Sequence, residues 1–409
     1  MKFWLEPSSK KMMYTEKLLL HLIKLNKHEL ILDKDSVVLF SICDVTELPF
    51  IEKLKQKYPN NKIVVGGHFS KIGAVAISLF ADAVWIGHGF EMFEQKSFED
   101  ILAHESCYFK GKNIDVYCNY NIKWNQCPAI QTDYSRFYVF GGVGCKNKCS
   151  FCVTSWTEPW ENRPGINHVQ NSVKKHVGKK GSVKVISNAY DTEMSLDLVQ
   201  DMLIKDFIQA KKFKKGALVR CGVEFATDET RRKNGKPVKE SEIKAAFDVA
   251  LANGVDLHLF MIGGIDKKYD WYKFIENIPE GDVLKPRIFL KWTNFEAQQK
   301  TPLWATCQQL NPDNYISSID TDSFFRIGAH RNKRIRIMPV KYPAHAFWRI
   351  MMSNVKNIDE YKQVLTLKNE KDMDTVYAMF QKLKPWENDI SFIKTYYDKD
   401  YKERRLQNG

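Results

Sequence analysis

Nowhere in the 409 residues does an apolar run approach the roughly 18 residues that a membrane-spanning helix requires. The opening MKFWLEPSSKKMMYTEK carries no apolar segment ahead of a small-residue cleavage site, so a secretory signal is not expected and a cytoplasmic protein is. There is no internal repeat and no low-complexity tract, which sets aside repeat scaffolds and linker-like chains. With 44% hydrophobic and 27% charged residues, wholesale disorder is excluded. A disulfide framework is not expected either, because the cysteines number nine, an odd count, in a large chain without an export signal.

What is present is enough chain for two or three domains, each able to bury a core. Lysine plus arginine, 62, exceed aspartate plus glutamate, 49, which gives +13. That excess favours anionic partners such as nucleic acid, nucleotides or phosphorylated substrates, and is equally met by solvated lysine-rich faces. From residue 35 short apolar runs alternate with helical stretches. DSVVLFSI reads as a buried strand and Leu48 to Tyr58 as a helix, with Phe50, Ile51, Leu54 and Tyr58 at helical spacing. A strand over Lys62 to Val65, a Gly66-Gly67 turn, a helix over Ile72 to Phe80 and a strand over Ala83 to Ile86 follow. The opening adds a strand near Phe3, a helix over Tyr14 to Leu25 and a short strand near Leu32. Continuous apolar strands alternating with helices predict a parallel doubly wound α/β sheet. We read residues 1–105 as a Rossmann-like domain, 106–135 as a linker, 136–310 as a second βα series and 311–409 as a smaller α+β C-terminal region with a helix over Thr375 to Leu383. The second series places strands at Phe137 to Phe140, Val183 to Ser187, Ala217 to Gly222, Asp256 to Met261 and Ile288 to Lys291, a spacing that suits a full or partial (β/α) barrel.

Three cysteines fall within eight residues, in Gly141-Gly-Val-Gly-Cys145-Lys-Asn-Lys-Cys149-Ser-Phe-Cys152. Three thiolates at this C-x3-C-x2-C spacing can hold three irons of a [4Fe–4S] cube, leaving the fourth iron open to a substrate. Structural zinc would want four ligands. His168 is a conceivable fourth, but it lies sixteen residues on and no second C-x2-C follows. The glycines before Cys145 let the backbone curl where a Cβ would clash.

With Phe151 before its last cysteine and a first barrel strand ahead of it, the motif resembles that of the radical S-adenosylmethionine enzymes. The resemblance implies a (β/α)6 partial TIM barrel, a cluster held by Cys145, Cys149 and Cys152, and S-adenosylmethionine chelated by the open iron. It also implies an external one-electron reductant of flavodoxin or ferredoxin type, whose electron cleaves the sulfonium to methionine and a 5′-deoxyadenosyl radical. Val219-Arg-Cys-Gly-Val-Glu224-Phe resembles the family's fourth-strand "GlE" segment, Leu257 to Gly264 its fifth strand and glycine turn, and Thr301-Pro302-Leu303 its "GTPL" segment, with Lys300 where glycine is usual. The family's "GGE" element has no counterpart; Val185-Ile-Ser-Asn188-Ala-Tyr190-Asp191 occupies the region. The Phe151 backbone, Asn188 and Glu224 are therefore the residues implied to orient S-adenosylmethionine, with Asp191 beside them. Glu224 reads equally as a satisfied barrel-interior carboxylate.

In the first domain, Val64-Val-Gly66-Gly67-His68 and Ala81-Asp-Ala-Val-Trp-Ile-Gly87-His88-Gly89 resemble the cobalamin-binding domain of B12-dependent radical enzymes, "vvGGxh" then "aDxvvxGeGE", with His88 replacing the glutamate. Gly66, Gly67, Gly87 and Gly89 fall at carboxyl ends of strands, where such sheets bind ligands. The resemblance implies cobalamin there, with Ser41 to Thr46 facing the corrin. No "DxHxxG" motif is present, so base-off cobalamin or none is expected, and His68 reads as a turn residue. Cys43, Cys107 and Cys118 raise the alternative of a methylthiotransferase with a second cluster; Gly67-His68 stands where those enzymes carry a cysteine, and scattered packing cysteines are expected instead.

Two basic runs, Lys211-Lys-Phe-Lys-Lys215 and Arg326 to Arg336, read either as solvated surface or as phosphate grips. The second ends in a strand pattern whose cations share one face. Trp156, Trp160 and Trp292 lie near the predicted barrel mouth, for stacking or for core packing. The reading is an enzyme of C-methylation with an unknown, possibly anionic substrate. Radical chemistry without methyl transfer (cyclisation, epimerisation or methylthiolation) is the second reading. A zinc-stabilised basic nucleic-acid-binding protein is the third.

Overall fold

Val37 to Ser41 is buried at every position, as a run of this kind must be when both faces of its sheet are covered. In this computed structural model it becomes the third strand of a six-stranded sheet. The structure describes residues 1–8, 14–133, 136–145, 147–159, 171, 182–187, 201–210, 213, 217–236, 238–278, 280–281, 287–331, 333–340, 342–400 and 402–403. The first strands are β1 (Lys2–Leu5), β2 (Glu29–Leu30), β3 (Val37–Ser41), β4 (Lys62–Gly66), β5 (Ala83–Trp85) and β6 (Cys107–Tyr108). Their order is β2-β1-β3-β4-β5-β6, parallel throughout except for the antiparallel β5–β6 pair. The helix Leu48–Lys57 has proline in its first turn and buries Leu48, Ile51 and Leu54 on one stripe. The predicted strand near Leu32 lies at Glu29–Leu30 instead.

The second series gives β8 (Ile130–Asp133), β9 (Arg136–Gly142) and β10 (Ser182–Ser187) in one sheet, with β9 and β10 parallel. A five-stranded parallel sheet follows: β11 (Asp201–Met202), β12 (Leu218–Glu224), β13 (Asp256–Gly263), β14 (Ile288–Asn294) and β15 (Ile335–Met338). The strands expected of one partial barrel therefore form two ladders. Among the described residues β10 and β11 are not paired, and residues 188–200 between them lie outside the described ones. In the five-stranded sheet alternate residues are buried: Val219, Cys221 and Val223, then Leu257, Leu259 and Met261, then Ile288, Leu290 and Trp292. These share a core with Phe247 of the helix Glu240–Asn253, Trp271 and Ile275 of Lys268–Glu276, and Phe324 of Ser318–Arg331. The intervening residues of each strand face the other side.

Residues 106–135 carry three short strands: β6 on the first sheet, β8 antiparallel to β9, and β7 (Val116–Tyr117), which pairs with β16 (Ile393–Lys394). The C-terminal helices pack on the first sheet's flank. The helix Ala344–Ser353 buries Phe347, Trp348, Ile350 and Met351 in one cluster with Val38, Phe40, Ile63 and Val65. Arg349 forks onto Asp44 at 2.7 and 2.5 Å, and the Tyr361 hydroxyl donates to Glu52 at 2.8 Å. The predicted helix over Thr375 to Leu383 begins two residues earlier, at Met373, capped by Asp372. Among the described residues no helix is long and apolar enough to cross a membrane.

Candidate functional site

β9 ends at Gly142 and Gly144 follows it, both in the left-handed φ region at 147° and 72°, and the chain turns there into the cysteine loop. Cys145 and Cys152 are half-buried and Cys149 is buried. The loop is pinned from three sides. The Ser150 amide donates to the Asn234 carbonyl at 3.0 Å and its hydroxyl to Asn234 Oδ1 at 2.6 Å. The Leu303 amide, from the Thr301-Pro302-Leu303 segment, donates to the Ser150 carbonyl at 3.0 Å. The Trp156 indole donates to the Cys149 carbonyl at 2.8 Å. Gly235, at φ +67°, carries the Cys149 thiol on its carbonyl, and a Cβ there would stand 2.3 Å from the Lys148 oxygen.

Above the loop, Glu224 ends β12 at φ +68°, a strained position for a side chain and one often found at functional sites. Its carboxylate lies 3.1 Å from the ammonium of buried Lys236. The carboxylate occupies the space over Gly222, where a Cβ would come within 1.9 Å of Oε1, so the "GlE" spacing has a steric cause. Burial works against the Lys236 charge, but Glu224, Cys149 and Cys145 outweigh it and raise its pKa. Burial pushes the Cys149 thiol up to about 12, opposed by Lys236 and reinforced by Cys152 and Cys145. Cys145 and Cys149 therefore share a local field with Lys236.

Among the described residues no three Cys, His, Asp or Glu side chains converge tightly enough to hold a metal ion, and His168, the candidate fourth zinc ligand, lies outside them. The loop offers three thiols within eight residues, glycine turns on both flanks and a buried ammonium to offset thiolate charge. That donor set suits a three-thiolate iron–sulfur cube better than four-coordinate zinc.

A cavity of about 340 Å³ opens at the carboxyl ends of β3, β4 and β5. Gly66, Gly67, Gly87 and Gly89 all line it, and Phe140 and Val143 of the loop's approach close its far wall. The glycines have unlike causes. Gly67 (φ +111°) and Gly87 (φ +98°) would drive a Cβ to 2.3 Å from the Ile42 oxygen and 2.2 Å from the Asn119 oxygen; Gly66 and Gly89 have ordinary clearance. The first pair is thus demanded by the chain's own packing. Buried Lys71 and buried Glu158 form an ion pair in the cavity wall, and the other Glu158 oxygen accepts from the Gly144 amide at 3.1 Å. One carboxylate thereby ties the cysteine loop to the helix Ser70–Ile77. Burial lowers Lys71 to about 8, against the pull of Cys118 and Cys152. The His68 side chain is 48% exposed and lines this cavity and a neighbouring cleft. Burial, with the Lys71 charge, holds the imidazoles of His68 and His88 at about 3, so both are neutral.

Several expectations change here. His68 faces the cavity and is more than a turn residue. Trp292 packs against Trp271 and Phe324 on the helix side of its sheet, so it serves the core; Trp156 braces the loop; Trp160 lies outside the described residues. Cys107 and Cys118 are buried packing residues, but Cys43 is exposed. Asn188 and Asp191, and the run at 211–215 apart from Phe213, lie outside the described residues. Lys300, where the family has glycine, adopts φ +65°, which explains why glycine is usual there. Lys71, Glu158 and Lys236 escaped the sequence reading. Lys71 was a lone charge in an apolar segment, whereas Glu158 among aromatic and polar residues and Lys236 in a charged stretch carried no such mark.

No protein-family model matches the chain and no curated protein matches it. Among solved structures, the radical S-adenosylmethionine methyltransferase TsrM from Kitasatospora setae, with cobalamin and a [4Fe-4S] cluster bound, is similar at TM-score 0.57 and 8% identity, over 94% of this chain and 99% of that one. The same enzyme with tryptophan substrate and a SAM analogue bound gives TM-score 0.51 and 9% identity, over 75% and 76%. The cobalamin-dependent S-adenosylmethionine radical enzyme OxsB with aqua-cobalamin bound gives TM-score 0.54 and 10% identity, over 100% and 82%. At these identities the likeness is one of fold. In fold, as in its cysteine motif, the chain resembles the cobalamin-type radical S-adenosylmethionine enzymes.

Proposed function

We propose that the chain is a cobalamin-dependent radical S-adenosylmethionine enzyme that methylates carbon on its substrate. The observation that carries this reading is the junction of the two sites. The cysteine loop opens beside the glycine-walled cavity, and Glu158 joins them through the Gly144 amide and Lys71. Cys145, Cys149 and Cys152 would hold the cluster, and the walls at Gly66, Gly67, Gly87 and Gly89 would take the corrin. When bound, the cluster would supply one electron to S-adenosylmethionine and the corrinoid would carry the methyl group.

The chain's own part is placement and exclusion of water. Glu224 would take the ammonium of S-adenosylmethionine, its carboxylate shared with Lys236, and the Phe151 backbone and Asn188 are the remaining proposed contacts. The edge-to-face pair of Phe151 and Phe225, 5.3 Å between centroids, holds Phe151 in place. The neutral imidazoles of His68 and His88 present nitrogen lone pairs to the cavity without adding charge. A cytoplasmic setting and a flavodoxin- or ferredoxin-type reductant belong to this proposal.

Anaerobic reconstitution followed by iron, sulfide and corrinoid analysis tests it. The expected result is close to four irons, four sulfides and one corrinoid per chain, with iron lost when any of Cys145, Cys149 or Cys152 becomes alanine. Stoichiometric zinc without iron overturns the reading. Iron and S-adenosylmethionine cleavage without corrinoid moves it to radical chemistry lacking methyl transfer.

A further inference from the structure

One face of the five-stranded sheet carries cations that neither the core nor the cluster loop uses. Parallel pairing sets Arg220, His258, Phe289 and Arg336 in one row across β12, β13, β14 and β15, and Gly222, Phe260, Lys291 and Met338 in the next. Their strand neighbours fill the core against the helices, so both rows look away from it and are half-buried.

The charges on this face do not cancel. Arg287 is bound by Asp256 at 2.7 Å and Lys236 by Glu224 at 3.1 Å, whereas among the described residues no carboxylate stands within ion-pair distance of Lys291 or Arg336. Among the described residues Arg336 engages only the carbonyls of Lys333 and Ile335, both through Nη1, and Lys291 lies 5.6 Å over the Phe260 ring. Half-burying two guanidinium or ammonium groups without counter-charge is costly unless an anion arrives to meet them. Burial, and the positive charge of Arg220 and Lys291, lower the pKa of His258 despite Asp256, which reports the same field independently.

Geometry places these groups around one point. Arg336 and Lys291 are diagonal neighbours on adjacent strands, about 8 Å apart at the backbone from strand spacing and rise, so two long side chains can reach one oxyanion between them. Phe289 lies at the centre, with the His258 ring 4.1 Å from its centroid. Flat apolar surface and cations thus alternate on one face, the pattern that grips a ring or chain ending in an acid.

We propose that this face docks an anionic group of the substrate, a phosphate or a carboxylate, between Lys291 and Arg336, with Phe260 and Phe289 against its apolar part. Its claim that the anion is the substrate's rests on the enzymatic reading above. The face is the same end of the chain in which the sequence pattern set cations on one side of a strand.

Calorimetric titration of the full chain with inorganic pyrophosphate and, separately, citrate tests the site. Pyrophosphate is expected to bind with an affinity that falls steeply with salt, and Lys291→Gln and Arg336→Gln each to weaken it at least tenfold. Lys291→Arg retains binding, and Lys244→Gln, on an exposed helix face, leaves it unchanged. Tighter pyrophosphate than citrate assigns phosphate; the reverse assigns carboxylate. Equal binding by wild type, Lys291→Gln and Arg336→Gln, with unchanged thermal midpoints, overturns the proposal. Iron content and S-adenosylmethionine cleavage of the same variants separate the two claims. A missing cluster with intact anion binding defeats the enzymatic reading alone, and an intact cluster with indifferent variants defeats this site alone.

Discussion

Replacing Lys71 with methionine strands a carboxylate. Lys71 and Glu158 are 4% and 3% exposed, so neither can turn to bulk water. Glu158 would lose its buried cation while its other oxygen still accepts from the Gly144 amide. Breaking a buried pair in this way costs about 3–5 kcal/mol. The double change Lys71→Met with Glu158→Gln removes both charges and keeps an acceptor for Gly144, so it should recover most of that loss, a coupling of about 2 kcal/mol or more. Glu158→Gln alone behaves differently. Burial lowers Lys71 from 10.5 to about 8, so between those values the folded chain has released a proton that the unfolded chain keeps, and stability rises with pH. Without Glu158 that window opens further downward. The Gln variant is therefore most impaired at pH 7 and recovers toward pH 10, while Lys71→Met shows no such recovery. Urea unfolding followed by tryptophan fluorescence across this pH range reads all three. A loss under about 1 kcal/mol for Lys71→Met, or a double variant no better than Lys71→Met, would refute the reasoning.

Three further outcomes follow from the same geometry. Gly67→Ala, with its Cβ 2.3 Å from the Ile42 oxygen at φ +111°, should cost more than about 2 kcal/mol, and Gly66→Ala, with 3.6 Å of clearance, less than about 1 kcal/mol, by denaturant midpoints. Gly222→Ala forces Glu224 off Lys236 and, on the proposed function, should weaken S-adenosylmethionine binding at least tenfold by equilibrium dialysis of the reconstituted protein, with iron content unchanged. The His104 ring, with the Asn121 and Asn119 amides, holds Glu91 at about 2, below its ordinary 4.5. Its stabilisation is present above pH 4.5 and lost as pH falls through 2, and Glu91→Gln should flatten the acid limb of the thermal midpoint over that range.

The parallel strands were legible because burial on both faces leaves continuous apolar runs such as DSVVLFSI, and the cysteine loop because thiolate spacing is itself a ligand pattern. The "GlE" and "GTPL" resemblances located Glu224 and the Thr301 segment, yet not what they touch. Lys71 and Glu158 stand 87 residues apart, and nothing local announces that they meet. The same holds for the C-terminal helices. Their amphipathic period says that one side is buried, never against which neighbour, so their seat on the first sheet appeared only in three dimensions. Cys43 shows the converse: composition argued for a packed thiol, and its place at a strand end left it open.

That seat has a consequence for how the protein is made. Asp44 leaves the ribosome early and Arg349, 305 positions later, so at about 5–20 residues per second the partner arrives roughly 15–60 s afterwards. Throughout that interval the flank that Phe347, Trp348 and Met351 will cover is bare. The nascent chain therefore carries an open apolar flank through most of its synthesis, and a premature stop anywhere before Ala344 should yield an aggregation-prone fragment.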